Sequence, residues 1–162
     1  MGLTRARKIS PLLTIPIKCF LSSTTGSLLT SFNFIIDSAF KIGWERWGNF
    51  PRERERLVRL VGSTGAQGVV FLSGDRHIGA LYRETAGTPY PLYELTSSGI
   101  THPWRNASEA GPNRLGDLFT DLHYGSVDID WDAAALSLSV RDIDGKAQRT
   151  ALIPLNQLKE RS

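Results

Sequence analysis

Apolar positions recur at helical spacing most clearly between residues 51 and 61, where Leu57, Val58, Leu60 and Val61 share one side. The Arg and Glu residues of this stretch fall largely on the other side. Pro51 suits the first helical position and Gly62 to Gly65 supply a stop, so the spacing predicts a helix that begins at Pro51. Val69-Val70-Phe71-Leu72 follows as a continuous apolar run without alternation, the pattern of a strand covered on both faces. Beyond His77 the period changes. Strand-like segments at Ala80–Thr85, Leu92–Thr96, Ser126–Trp131, Leu136–Ile143 and Arg149–Pro154 alternate with Gly, Pro, Asn and Asp clusters. Asp144-Gly145 between the last two is a hairpin signal. Phe32–Ile36 also reads as a short strand, and Gly43–Phe50 as a loop held by packing of Trp44 and Trp47. Residues 10–31, rich in Ser and Thr, show no sustained helical or strand period and carry little fold information. The order of helix, short loop and buried strand, then a mostly antiparallel second half, predicts an α/β fold that is β-rich after residue 78.

At 162 residues with 41% hydrophobic and 22% charged positions, the chain can enclose one core. The net charge of +3 hides a change of sign: ten Lys/Arg stand against four Asp/Glu in residues 1–60, and nine against twelve beyond. The arginines at 52, 54, 56 and 59 interleave with Glu53 and Glu55, which neutralise the local field, so no nucleic-acid partner is expected. Cys19, the single cysteine, excludes an intrachain disulfide and a Cys-x-x-Cys zinc site. Arg5, Arg7 and Lys8 ahead of an apolar stretch have the outline of a secretory signal, but Pro11, Pro16 and Lys18 interrupt it, and an untidy terminal extension is the expectation. Ala6 occupies the hydroxyl position of a myristoylation motif. No stretch approaches the roughly 18 apolar residues of a membrane span.

The chemistry concentrates in Ser73-Gly74-Asp75-Arg76-His77, at the carboxyl end of the buried strand, where open α/β sheets place their sites. Read as an extended segment, it would point Asp75 and His77 to one side and leave Arg76 to face away or to reach toward an anion. A carboxylate and an imidazole together suit Zn, Mn or Fe. A single Gly-Asp-x-His is equally open to a plainer reading, with Asp75 closing a turn on its own backbone and His77 an ordinary loop histidine. His102 lies in a loop that could approach the site from the substrate side, or stack near Trp104. His123, before Tyr124-Gly125, also lies in a loop that could approach the site, but reads better as an ordinary strand entry. Ser97 and Ser98 lack an elbow or a paired base and are not nucleophile candidates. Asp128, Asp130 and Asp132 alternate like calcium ligands, but Ala133 and Ser139 stand where a glycine and a glutamate are required, so they read as solvent-facing.

Several motifs occur in one order: Trp47-Gly48-Asn49-Phe50-Pro51 with Arg54 and Leu57, then Val69 to His77, then Tyr93-Glu94-Leu95-Thr96-Ser97-Ser98-Gly99. Together they resemble the C-terminal half of the alkaline phosphatase D (PhoD-like) family of calcineurin-like metallophosphoesterases, over approximately residues 44–155. The resemblance implies the C-terminal half of a layered metallophosphoesterase β-sandwich flanked by helices. It divides the chain into an extension at 1–40, a partial domain at 41–157 and a tail at 158–162. It implies hydrolysis of a phosphate ester at a centre of two divalent or trivalent ions (Fe, Ca, Zn or Mn), with Asp75 and His77 as metal ligands and Arg76 as a candidate substrate contact. Two cations roughly 3.5–4 Å apart polarise phosphoryl oxygens and make hydroxide available near neutral pH.

The upstream ligand motifs of that family cannot be found. Gly116–Asp121 has one residue too many between its acids, and Gly48-Asn49-Phe50 has Phe at the ligand position. The chain is therefore expected to be a truncated phosphatase or phosphodiesterase that binds metal weakly, is inactive alone, and would be completed by a separate N-terminal fragment. The alternative is a non-catalytic, β-rich interaction module. A missing half-domain is expected to leave the strand bearing Phe71 and the apolar face of the 51–61 helix open.

Overall fold

The computed structural model describes residues 21–23, 26–30, 47–109 and 111–160. The expectations for residues 1–20, for a strand at Phe32–Ile36 and for Trp44 lie outside them. Among the described residues the fold is mostly β, with two small sheets and one α-helix.

The helix α1 (Pro51–Ser63) follows a turn of 3-10 helix at Trp47–Asn49 and starts as the sequence predicts, with Pro51 in the first turn. Its first free amides, those of Glu53 and Arg54, donate to the Phe50 carbonyl at 3.0 Å each. At the other end the Thr64 hydroxyl donates to the Leu60 carbonyl at 2.7 Å, and Gly65 takes a left-handed φ of +64° that turns the chain out of the helix. Val58 and Val61 are buried. Arg54 reaches the end of strand β4 (Gly79–Glu84), where its Nη2 lies 3.0 Å from Glu84 Oε2. Asn113 also donates to that oxygen, and the amides of Thr85 and Ala86 bond Oε1, so this buried carboxylate is satisfied.

The apolar run becomes β3 (Val70–Ser73), paired in parallel with β5 (Leu92–Ser97), which in turn pairs antiparallel with β4. On its other side β3 pairs in parallel with β2 (Gly26–Thr30), and β2 pairs antiparallel with β1 (Leu21–Ser23), which completes a sheet in the order β1-β2-β3-β5-β4. The Ser/Thr-rich stretch thus contains two short strands that its sequence does not announce. Their residues lack alternating large apolar side chains, and the ladder with β3 supplies the order instead.

The second sheet is a meander of β6 (His123–Asp130), β7 (Ala135–Asp142) and β8 (Ala147–Pro154), all antiparallel, as the second half of the sequence predicts. Asp144-Gly145 forms the β7–β8 turn, with Gly145 at φ +82° and the Asp142 carboxylate accepting the amides of Asp144 and Lys146.

Alternation along β3, β4 and β5 sends side chains to two separate cores. Phe71, Ala80, Tyr82 and Leu92 pack with Val58 and Val61 of α1. Val70, Leu81, Tyr93 and Leu95 pack with Leu136, Leu138, Val140 and Ile153 of the second sheet. Tyr90 fastens the α1–β3 connection: its hydroxyl donates to the Ala66 carbonyl at 2.6 Å and accepts from the Val69 amide at 3.3 Å, and burial pushes the phenol up. The strand bearing Phe71 is therefore not open, contrary to expectation: β2 and β5 flank β3, and Phe71 is fully buried, while the apolar face of α1 is covered at Val58 and Val61 and leaves Leu60 exposed. No helix among the described residues is long and apolar enough to cross a membrane.

Replacing Phe71 with Ala should lower stability by about 3–5 kcal/mol, through lost burial and an unfilled cavity. Leu152→Ala, at a position 71% exposed, should change it by less than about 0.5 kcal/mol. Urea denaturation followed by circular dichroism measures both.

Candidate functional site

Because β4 lies beyond β5 in the sheet, the chain leaving β3 has to cross the carboxyl end of β5 before it can turn back. The residues that make this crossing are Gly74 to Ile78. They sit at the shared carboxyl end of two parallel strands, facing the Ser97-Ser98-Gly99 segment that ends β5. Gly74 passes close to Ser98: a Cβ there would stand 3.3 Å from the Ser98 Cβ, tight enough to require adjustment. The Ser98 hydroxyl accepts the His77 amide at 2.9 Å, and the His77 carbonyl accepts the Trp104 amide at 2.8 Å. Three segments distant in sequence are thereby tied around His77.

The crossing is not extended. Asp75 and His77 both take left-handed backbone, at φ +72° and +55°, and Ala134 in the β6–β7 turn is the only other non-glycine to do so among the described residues. Such conformations cost on the order of 1–3 kcal/mol each and persist where surrounding structure imposes them. Here the imposing elements are the Ser98 and Trp104 hydrogen bonds and the burial of the intervening residues. Asp75 and His77 are exposed, whereas Arg76 and Ile78 are buried. The outward display of Asp75 and His77 thus arises from a strained bend and not from strand pleating.

Arg76 turns inward. Its Nη2 stands 2.8 Å from Glu109 Oε2, with the guanidinium side chain 6% and the carboxylate side chain 15% exposed. Of the two alternatives for Arg76, the structure shows the one facing away from Asp75 and His77. Glu109, which holds it, carries no local sequence signal. His102 comes to the site directly: its ring meets that of His77 edge-on, with centroids 5.3 Å apart and planes at 75°.

His123 is drawn to the same neighbourhood from below. It begins β6, as its sequence suggests, but its ring is fully buried against Phe119, Gly79 and Gly99. Asp121 before it is exposed, and its carboxyl is held below the usual carboxylate range by the Leu122 amide and by Arg105. The Gly116–Asp121 segment runs as a loop beside β4, with Gly79 and Phe119 exchanging backbone hydrogen bonds of 2.8 Å. Asp128, Asp130 and Asp132 are exposed.

No three His, Cys, Asp or Glu side chains among the described residues form a group able to hold a metal ion, and Asp75, His77 and His102 are not such a group.

The fold is similar to a solved structure described as "Structure of PhoD", with a TM-score of 0.57 at 14% sequence identity, over 83% of this chain. The matched region spans 31% of that solved chain. At this identity the likeness is one of fold alone. No family model and no curated protein sequence matches the chain.

Arg76→Ala should destabilise the protein by about 2–3 kcal/mol, because it leaves the Glu109 carboxylate without its cation; the remaining exposure of Glu109 keeps the loss below that of a sealed pair. Asp75→Gly and His77→Gly should leave stability unchanged or raise it by up to about 1 kcal/mol, since glycine relieves the left-handed strain. Denaturant midpoints of the three variants check both expectations.

Proposed function

We propose that this chain carries the last ligand loop of a PhoD-like metallophosphoesterase, the Gly74–Ile78 crossing, and that Asp75 and His77 are its contribution to a metal centre that hydrolyses phosphate esters. The observation that supports this most is the coincidence of two independent features. The fold is similar to that of PhoD, and the residues that match the ligand motif are the two that the backbone strains into solvent at the carboxyl ends of parallel strands. On this reading His102, whose ring meets that of His77, takes the substrate side of that centre. Arg76, paired with Glu109, acts by anchoring the loop and not by contacting phosphate.

On this reading the described residues offer too few ligands for turnover alone, and a separate N-terminal portion of the same fold would supply the rest. The ions are divalent or trivalent, of the Fe, Ca, Zn or Mn type. A second reading, a non-catalytic interaction module, draws on the exposed Phe50 and Leu60 beside and on α1, on Trp131 of the β6–β7 turn and on Leu152 of β8.

Titrating Mn(II) into the purified chain should broaden the His77 ring signals first and weakly, with the effect lost in Asp75→Ala, and hydrolysis of an aryl phosphate should stay at background. Turnover abolished by His77→Ala would show that the chain is a complete enzyme and overturn the inactivity. Absence of any broadening at His77, in a protein that remains folded, would remove the metal role and leave the interaction module.

A further inference from the structure

Beneath the loops that carry His77 and His102, the ring of His123 fills a slot whose walls are backbone. Gly79, the second residue after His77, forms one wall, shared with Val140: a Cβ there would meet Val140 Cγ1 first, at 2.5 Å, and would stand 3.0 Å from His123 Cδ2 and 3.2 Å from Nε2. Gly99, between Ser98 and the His102 loop, forms the other, and a Cβ there would overlap His123 Cε1 and Nδ1 outright. The ring is fixed in this slot from three directions. Nδ1 lies 2.6 Å from the Asp121 carbonyl, Phe119 meets the ring edge-on at a centroid distance of 5.9 Å, and the His123 amide donates to the Gly99 carbonyl at 3.3 Å. Asp121 is itself held by Arg105 at 2.7 Å and by the Leu122 amide at 2.8 Å. Nε2 is buried without a hydrogen-bond partner among the described residues. A strand start that needed only a polar residue would not bury a ring nitrogen unpaired, at a cost of roughly 1–3 kcal/mol. The shape of the ring is what the slot uses.

We propose that His123 is a positioning residue of the candidate site: its ring is the spacer between the Gly79 and Gly99 backbones and so sets the distance between the loops that present His77 and His102. This inference goes beyond the metal-centre reading, because it concerns the spacing of the two imidazoles in the protein alone. Gly99 follows from it, and Gly79 follows from it together with Val140. Each lacks the side chain that would occupy the space of the ring, so the second sheet reaches through the end of the first and touches the site loops from inside.

The chain has three histidines, so each ring gives a separable signal in a proton–carbon spectrum recorded without metal. The wild-type protein should show a cross-peak between the His77 and His102 rings. His123→Ala should abolish it and speed exchange of the Trp104 amide by on the order of tenfold, as the loop opens locally. His123→Phe, which keeps a ring of similar width and gives up the Asp121 bond, should retain the cross-peak. Gly99→Ala should abolish it in the wild-type background and restore it, at least in part, when combined with His123→Ala, since the added methyl group then occupies emptied space. A persistent cross-peak in His123→Ala, or its loss in His123→Phe, overturns the proposal. Should His123→Ala alone prove too unstable for a spectrum, the double variant decides: a recovered cross-peak supports the spacer and a missing one refutes it. Metal affinity enters none of these readings, so they stand or fall separately from the proposed function.

Discussion

The parallel pairing of β3 with β5 is the constraint on which the remaining features depend. It leaves β4 beyond β5, so that five residues have to carry the chain over the end of a strand and reverse it. That short path forces left-handed backbone at Asp75 and His77, brings Ser98 against the turn, and buries Arg76 and Ile78 as the two internal anchors. The same pairing gives the five-stranded sheet two buried faces, one under α1 and one under the meander. Without it there is neither a place for the candidate site nor a reason for the double core.

Much of this could be read from residue patterns. The α1 stripe, the unalternated run at Val69–Leu72, the strands beyond residue 78 and the Asp144-Gly145 turn all carry local signals, and each appears within a few residues of its expected place. What could not be read depends on partners distant in the chain. The extended geometry expected at Asp75–His77 gave way to a bend because the position of β4 decides it. Strands β1 and β2 arise in a Ser/Thr-rich stretch because β3 offers a ladder. Glu109 looks like any surface acid until Arg76 arrives.

The site was legible to a similar degree. The identities of Asp75 and His77 came from a motif, and the approach of His102 from its place in a loop, but the inward turn of Arg76 follows from burial that no short motif encodes. The slot around His123 is the least legible part. Before Tyr124-Gly125 His123 has the look of a strand start, and only the folded arrangement shows that Gly79 and Gly99 close around it. A histidine flanked in space by two glycines, each distant in sequence, leaves no local trace.

The two sheets also differ in how they can be assembled. The β6-β7-β8 meander joins neighbours in sequence through short turns, whereas β2, β3 and β5 meet across long intervening segments. Pairings of the first kind close quickly, and those of the second wait on loop closure. During synthesis the β3–β5 sheet emerges first, yet the apolar face made by Val70, Leu81, Tyr93 and Leu95 has nothing to cover it until the C-terminal meander leaves the ribosome. Strands made later are therefore the ones that protect the earlier ones from aggregation.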